Sequence, residues 1–300
     1  MNIPTQIIPL NETSVELHIR REDLIHPFIS GNKYRKLKYN LIEAQKQNHT
    51  TLLSFGGAFS NHIAALAFAG QQSGMNTIGV IRGEELYNQI EINPTLKFAQ
   101  QCGMKFEFVT REAYRNKSEA FFIENLRPKY SDFYLIPEGG TNELAVKGCQ
   151  EILTPDDAQY QFICVAVGTG GTISGLINST YEGQKILGFP ALKGDFLQKD
   201  ICKFALNKNW ELLSDYHFGG YGKVTLELIQ FLNEFHDKYS IPLDPVYTGK
   251  MVFGVIDKIK KGFFPENSKI LLIHTGGLQG IEGMNQFLIK KKLPILHYHG

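Results

Sequence analysis

The chain has 300 residues, 43% apolar and 20% charged, which excludes a disordered chain and leaves room for two domains of roughly 150 residues. Thirty-one Lys and Arg against 30 Asp and Glu give a net charge of +1, so no strong field favours nucleic acid or an anionic membrane. Four cysteines, Cys102, Cys149, Cys164 and Cys202, form no CxxC pair, and no His cluster has metal-ligand spacing, so neither disulfides nor a metal is expected.

Val15 to Arg20 alternates apolar and polar residues and predicts a strand, with a helix from Asn32 to Gln47 after it. Thr50 to Phe55 is a short apolar strand, and Gly56-Gly57-Ala58-Phe59-Ser60-Asn61 leads from it into a helix through Ala69. Residues 50 to 81 carry no Asp, Glu, Lys or Arg, yet the longest apolar run, Ile63 to Gly70, falls well short of the about 20 residues a spanning helix needs. Met1-Asn2-Ile3-Pro4 shows no basic region before an apolar run, so no signal peptide is expected, and the setting reads as a reducing cytoplasm.

Thr77 to Ile81 is the next strand, and Asn93-Pro94 starts a helix that ends near Gly103. Lys105 to Thr110 predicts a strand, Arg111 to Asn125 a helix, Phe133 to Ile136 a strand and Thr141 to Leu153 a helix. Phe162 to Val167 is a buried strand with Cys164 as a small core residue, and Gly168 to Thr172 turns from it into another helix. Further strands are expected at Lys185 to Phe189, Trp210 to Leu213 and Lys269 to His274, and helices at Val224 to Tyr239 and Tyr247 to Lys261. Lys290-Lys291-Lys292 reads as solvated helix surface. Alternating helices and continuous apolar strands predict an α/β fold with parallel sheets covered on both faces.

Glycines cluster at Phe55-Gly56-Gly57, Glu138-Gly139-Gly140, Gly168-Thr169-Gly170-Gly171-Thr172, Phe218-Gly219-Gly220-Tyr221-Gly222 and His274-Thr275-Gly276-Gly277, several directly after a predicted strand. Ligands of open α/β sheets bind beyond the carboxyl ends of strands. Gly168 to Thr172 offers free helix-start amides and two hydroxyls, an anion cradle, though a plain tight turn has the same look. It lacks the Lys-Ser/Thr ending of an NTP loop and the full GxGxxG spacing of a dinucleotide site, so a single phosphate group fits better. Ser60-Asn61-His62 is either a helix cap or a second, smaller anion site for a carboxylate. Gly31-Asn32-Lys33-Tyr34-Arg35-Lys36 places cations at a helix start, where the dipole disfavours them. An exposed surface face is the commoner explanation, but burial there would lower a Lys pKa and make it a nucleophile.

Taken together, these motifs resemble the pyridoxal-phosphate (PLP)-dependent family of 1-aminocyclopropane-1-carboxylate (ACC) deaminases and D-cysteine desulfhydrases. The resemblance is carried in order by Arg21-Glu22-Asp23, Gly31 to Leu37, Gly56 to His62, Gly168 to Thr172, Asp244-Pro245-Val246-Tyr247-Thr248-Gly249-Lys250 and His274-Thr275-Gly276-Gly277. It implies a tryptophan-synthase-β-like (type II) PLP fold of two three-layer αβα domains with mostly parallel sheets. Residues 1–37 and 143–300 would form the larger, phosphate-binding domain, and 38–142 the smaller one with the Ser60-Asn61-His62 loop. It also implies a homodimer acting on a small amino acid.

The implied roles follow residue by residue. Lys33 would hold PLP as a Schiff base, Asn61 would hydrogen-bond the ring's phenolic oxygen, and Gly168, Thr169, Gly170, Gly171 and Thr172 would bind the phosphate. Ser60, with the amides of Asn61 and His62, would receive the substrate carboxylate, its hydroxyl being a further candidate for proton transfer. Tyr247 and Tyr221 match active-site tyrosines. The ACC deaminases carry Glu and Leu where this chain has Thr248 and Thr275, and Thr at both is the desulfhydrase-like pattern. A neutral Thr facing the pyridine nitrogen leaves the ring a weaker electron sink, enough to expel thiolate but ill suited to opening a cyclopropane. The expected reaction is therefore D-cysteine to pyruvate, sulfide and ammonia. ACC deamination to 2-oxobutyrate, or elimination from an L-amino acid, is the first alternative, and a PLP-binding protein without catalysis or a dinucleotide-binding module the readings from other classes.

Overall fold

The structure is a computed structural model describing residues 3–194 and 196–299. Met1 and Asn2, on which the reading of the N-terminus partly rests, lie outside the described residues, as does Gly300 at the end of the expected larger domain.

The first half of the chain forms β1 (Thr5–Ile8), β2 (Glu16–Arg20), α1 (Asn32–Lys46), β3 (Thr51–Gly56), α2 (Asn61–Ser73), β4 (Asn76–Arg82), α3 (Pro94–Gln101), β5 (Lys105–Val109), α4 (Ala120–Glu124), α5 (Arg127–Tyr130) and β6 (Tyr134–Leu135). The second half forms α6 (Glu143–Gln150), β7 (Phe162–Val167), α7 (Gly171–Asn178), β8 (Lys185–Pro190), α8 (Phe196–Cys202), β9 (Trp210–Leu212), α9 (Leu226–Tyr239), α10 (Thr248–Lys260), β10 (Lys269–Ile273) and α11 (Gly280–Lys290). A four-stranded sheet, β5-β4-β3-β6, is wholly parallel. A six-stranded sheet, β1-β2-β10-β7-β8-β9, is parallel except for its edge strand β1.

Strand periodicity explains the layers. On β7 and β10, Cys164, Ala166, Ile270 and Leu272 face one core with Leu228 and Leu232 of α9 and Met251 and Val255 of α10. The alternate residues Ile163, Val165, Val167, Leu271 and Ile273 face another core, with Ile173 and Leu176 of α7 and Leu197 and Ile201 of α8. Both faces are dry, which is why these strands are unbroken apolar runs. Each fully buried Ile, Leu or Val contributes about 1.5–3 kcal/mol of transfer free energy. The four-stranded sheet repeats the pattern, with Leu52 and Ile81 on one face and Leu53, Phe55, Ile78 and Val80 on the other.

One expected element breaks. Residues 111–125 do not form one helix but a 3-10 turn, Ala113–Asn116, followed by α4. Tyr114 is the cause: its ring is buried in the sheet's core, and its hydroxyl donates to Glu138 Oε1 at 2.6 Å. That tertiary anchor overrides local helix propensity. β1, α8 and the 3-10 stretch Glu84–Ile92 are not among the expected elements, and of α11 only its lysine-rich end reads as helix from the sequence. Among the described residues no helix is long and apolar enough to cross a membrane.

Candidate active site

The carboxyl ends of β2, β3, β7 and β10 open into the glycine-rich loops, and the loops meet. Gly31 sits at φ +60°, and a Cβ there would lie 1.9 Å from the Thr275 carbonyl oxygen, so only glycine fits. The Asn32 amide donates to that same oxygen at 3.2 Å, and Asn32 Nδ2 donates to Thr172 Oγ1 at 2.8 Å. The start of α1 is thereby locked to the loop after β10 and to α7.

Lys33 follows on this locked turn. Its Nζ lies 3.3 Å from Asn32 Oδ1, and it forms no ion pair among the described residues. Burial, and then the positive charge of Lys36, push Lys33 down to about 7. Lys36 lies almost one helical turn on, on the same face. It is 2% exposed, and Nζ donates to the Gly139 carbonyl at 3.0 Å, Thr141 Oγ1 at 3.0 Å and Thr169 Oγ1 at 3.4 Å. Burial pushes it down to about 8.

The turn between β7 and α7 is the expected cradle. Helix geometry leaves the first amides of α7 without intrahelical acceptors. A Cβ on Gly171 would stand 2.8 Å from Thr141 Oγ1 and 3.1 Å from Lys36 Nζ, so backbone and ammonium share one small space. The two hydroxyls read as free anion ligands are already engaged: Thr172 Oγ1 accepts from Asn32, and Thr169 Oγ1 is 2.5 Å from Thr141 Oγ1. They brace the cradle, and the cation that completes it, Lys36, is one the motif reading passed over.

Ser60 caps α2, its Oγ accepting from the Ile63 amide at 3.3 Å. Asn61 Nδ2 lies 2.7 Å from where a Gly277 Cβ would stand, and its buried Oδ1 has no hydrogen-bond partner. The His62 ring turns inward, with Nε2 2.8 Å from Ser54 Oγ and Nδ1 buried without a partner. Burial and the nearby charges of Lys33 and Lys36 push His62 well below the usual imidazole range, so it stays neutral.

The opposite wall is aromatic. Tyr247 lies against Gly168, its ring 3.1 Å from where a Cβ there would stand, and the Tyr221 and Tyr247 rings meet edge-on at 6.0 Å. Burial raises the Tyr247 phenol far above its ordinary value, and local desolvation raises that of the half-exposed Tyr221, so both remain protonated at neutral pH. Tyr221 sits on a loop with left-handed backbone at residues 218, 219, 220 and 222. Buried Lys250 holds that loop, its Nζ donating to the carbonyls of His217 and Gly220 at 2.9 Å each.

Thr248 departs from expectation in one respect. Its hydroxyl does not stand free to meet a ring nitrogen: it donates to Asp244 Oδ2 at 2.5 Å and accepts from the Asp244 amide at 3.1 Å. Asp244 also accepts from the amides of Val246, Tyr247 and Thr248. Burial raises the Asp244 carboxyl, and these hydrogen bonds oppose the rise. A carboxylate introduced at 248 would therefore face Asp244, so Thr248→Glu cannot be read as a simple change at the cofactor ring. Thr275, 7% exposed, contributes its carbonyl to the start of α1.

Three features fit PLP: an unpaired, easily neutralised amine at Lys33, an anion cradle backed by Lys36, and an orphaned buried amide oxygen at Asn61. Comparison with known proteins decides the matter. The family described as "Pyridoxal-phosphate dependent enzyme" matches residues 1–276. The chain belongs to that family. It is a PLP-dependent enzyme of the lyase and deaminase kind, with the tryptophan-synthase-β-like fold. A Pyrococcus horikoshii protein provisionally named an ACC deaminase is 31% identical over 92% of this chain and 90% of its own length. The Arabidopsis thaliana "Bifunctional D-cysteine desulfhydrase/1-aminocyclopropane-1-carboxylate deaminase, mitochondrial" is 31% identical over 93% of this chain and 78% of its own. A crystal structure described as an ACC deaminase homologue superposes with a TM-score of 0.85 at 29% identity, covering 97% of this chain and 94% of that one.

Proposed function

We propose that this PLP enzyme eliminates the β-substituent of a small D-amino acid, D-cysteine foremost, and releases pyruvate, sulfide and ammonia with the uptake of one water. The observation that carries this reading is the pair Thr248 and Thr275. Position 248 holds a neutral hydroxyl, and the one carboxylate beside it, Asp244, is occupied by four hydrogen bonds. Among the described residues no free carboxylate stands beside position 248 to charge the ring nitrogen, which suits a good leaving group.

Bound PLP supplies the electron sink for the broken Cα–H bond. Lys33, with a pKa of about 7, is close to half neutral at neutral pH and can attach the cofactor and then hold the α-proton. Lys36 and the α7 amides hold the phosphate. The loop at Ser60, with the amides of Asn61 and His62, orients the substrate carboxylate, and the Asn61 side-chain amide would hydrogen-bond the ring's phenolic oxygen. Tyr247 and Tyr221, both protonated at neutral pH, donate to the departing sulfur.

ACC deamination is the second reading, favoured by the relative whose name joins both activities. A panel of D- and L-amino acids with ACC, scored for keto acid and sulfide, tests the proposal: pyruvate and sulfide in equal amounts from D-cysteine support it, and turnover of L-amino acids alone sinks it.

We further propose a cytoplasmic homodimer, with residues 38–142 as the smaller domain. Four free cysteines support the compartment. Self-association is supported by an aromatic surface cluster in which Phe28, 47% exposed, lies 4.6 Å from Phe68 and 5.7 Å from Phe98 between ring centroids. Light scattering of the purified chain checks the dimer, and a monomer at all concentrations removes it.

A further inference from the structure

The last turn of α9 and the C-terminal segment gather three metal-ligand side chains outside the cleft. His236 and Asp237 belong to α9, and His297 comes from 60 residues further on. One donor atom from each lies within 4.8 Å of the other two. His297 Nε2 is 2.8 Å from Asp237 Oδ1, and His236 Nδ1 is 3.9 Å from that same oxygen. His236 Nδ1 is moreover buried with no hydrogen-bond partner among the described residues. A buried nitrogen in that state is costly unless something meets it.

The segment that brings His297 is fixed in advance. Asn233 Nδ2 donates to the Ile295 carbonyl at 3.0 Å, and the His297 amide donates to Asn233 Oδ1 at 3.3 Å. Asn285 clasps Leu296 from both sides, donating to its carbonyl at 2.8 Å and accepting from its amide at 2.9 Å. Tyr298 is 3% exposed and donates to the Leu243 carbonyl at 2.7 Å. The His236 ring stacks on Tyr298 at 4.6 Å. The His236 ring and the His297 backbone are thus positioned by contacts that do not involve an ion, which lowers the ordering cost of binding one.

We propose that His236, Asp237 and His297 bind one divalent transition-metal ion, Zn²⁺ or Ni²⁺, which clips the C-terminal segment to α9. Two imidazoles and one carboxylate select such ions over Mg²⁺ and Ca²⁺, which take oxygen ligands. Ligand bonds run about 2.0–2.2 Å, so the donors draw in around the ion, and water completes the shell. The proton His297 shares with Asp237 moves to Nδ1 of the same ring, leaving Nε2 to ligate. The inference is independent of the reaction proposed above.

The test uses the full chain with its cofactor, stripped of metal by EDTA and desalted. Titration with Zn²⁺ by calorimetry, with thermal unfolding in parallel, should give one ion per chain and a raised Tm. His297→Ala and Asp237→Asn should each weaken binding at least about tenfold and cancel the Tm rise, with PLP content unchanged. His26→Ala should leave binding as it was. If His297→Ala compromises folding, Co²⁺ bound to the unaltered chain should show visible bands of a low-coordinate nitrogen-ligated site. No saturable binding, or binding untouched by Asp237→Asn, overturns the proposal.

Discussion

The two ends of the cleft are built in different ways. The end proposed for the phosphate is mostly backbone: the start of α7, a glycine-lined space, and Lys36 wedged against Thr141 and Thr169. The end proposed for the substrate is mostly side chains from separate loops: Ser60, Asn61, Tyr221, Tyr247 and the Thr248–Asp244 pair. Backbone construction tolerates little change, because any Cβ intrudes. Side-chain construction lets a few substitutions change the chemistry while the cofactor stays in place. On the proposed assignment, the first end would hold PLP and the second would decide what is done with it.

The largest effect that would break this division comes from Lys33, which on the proposed assignment serves both ends. Lys33→Ala should lose turnover by about 10²–10⁴-fold or more and lose the covalent link to PLP, seen as loss of borohydride-stable label on the peptide bearing residue 33. Label on Lys36 instead would reverse the roles of the two lysines. Next, Gly171→Val should empty the phosphate end, since its side chain would fill the space beside Lys36 Nζ. Cofactor content after gel filtration reads this, and full retention would remove the cradle from the site.

The pH dependence of PLP capture by the apoprotein sharpens the comparison. Capture needs Lys33 neutral, a fraction that grows as pH rises through about 7, and Lys36 charged, a fraction that falls as pH passes about 8. The rate should therefore peak between those values, and Lys36→Met should flatten its alkaline limb. A rate still climbing well above that window in the unaltered protein would contradict the assignment. At the substrate end, Lys250→Met should release the Tyr221 loop and lower kcat with PLP content intact, whereas equal losses of both would mark Lys250 as structural only. The smallest effect belongs to Thr172→Ala, which removes one brace worth about 1 kcal/mol and should weaken PLP retention less than tenfold.

Much of this division was legible in the sequence, because it rests on local patterns. Phe162–Val167 matches its predicted bounds, and the starts of α1 and α3 follow from their turn and cap residues. The glycine clusters marked the loops that meet. What stayed hidden needed the third dimension. Lys36 was one cation in a basic stretch until Gly139, Thr141 and Thr169, over a hundred residues away, closed on it. Asp244 and Lys250 lay within a recognised motif, but apart from the Thr248 hydroxyl on Asp244 their partners are amides and carbonyls, which no side-chain pattern reveals. The broken helix at 111–125 failed for the same reason: Tyr114 answers to Glu138, not to its neighbours.

The most direct test of the central claim is one assay with two substrates. Purified, PLP-loaded protein is offered D-cysteine and ACC in separate reactions, and the keto acid product is identified by mass. The threonine pair at 248 and 275 predicts pyruvate with equimolar sulfide from D-cysteine and little or no 2-oxobutyrate from ACC. Efficient 2-oxobutyrate release from ACC, with D-cysteine inert, would contradict it.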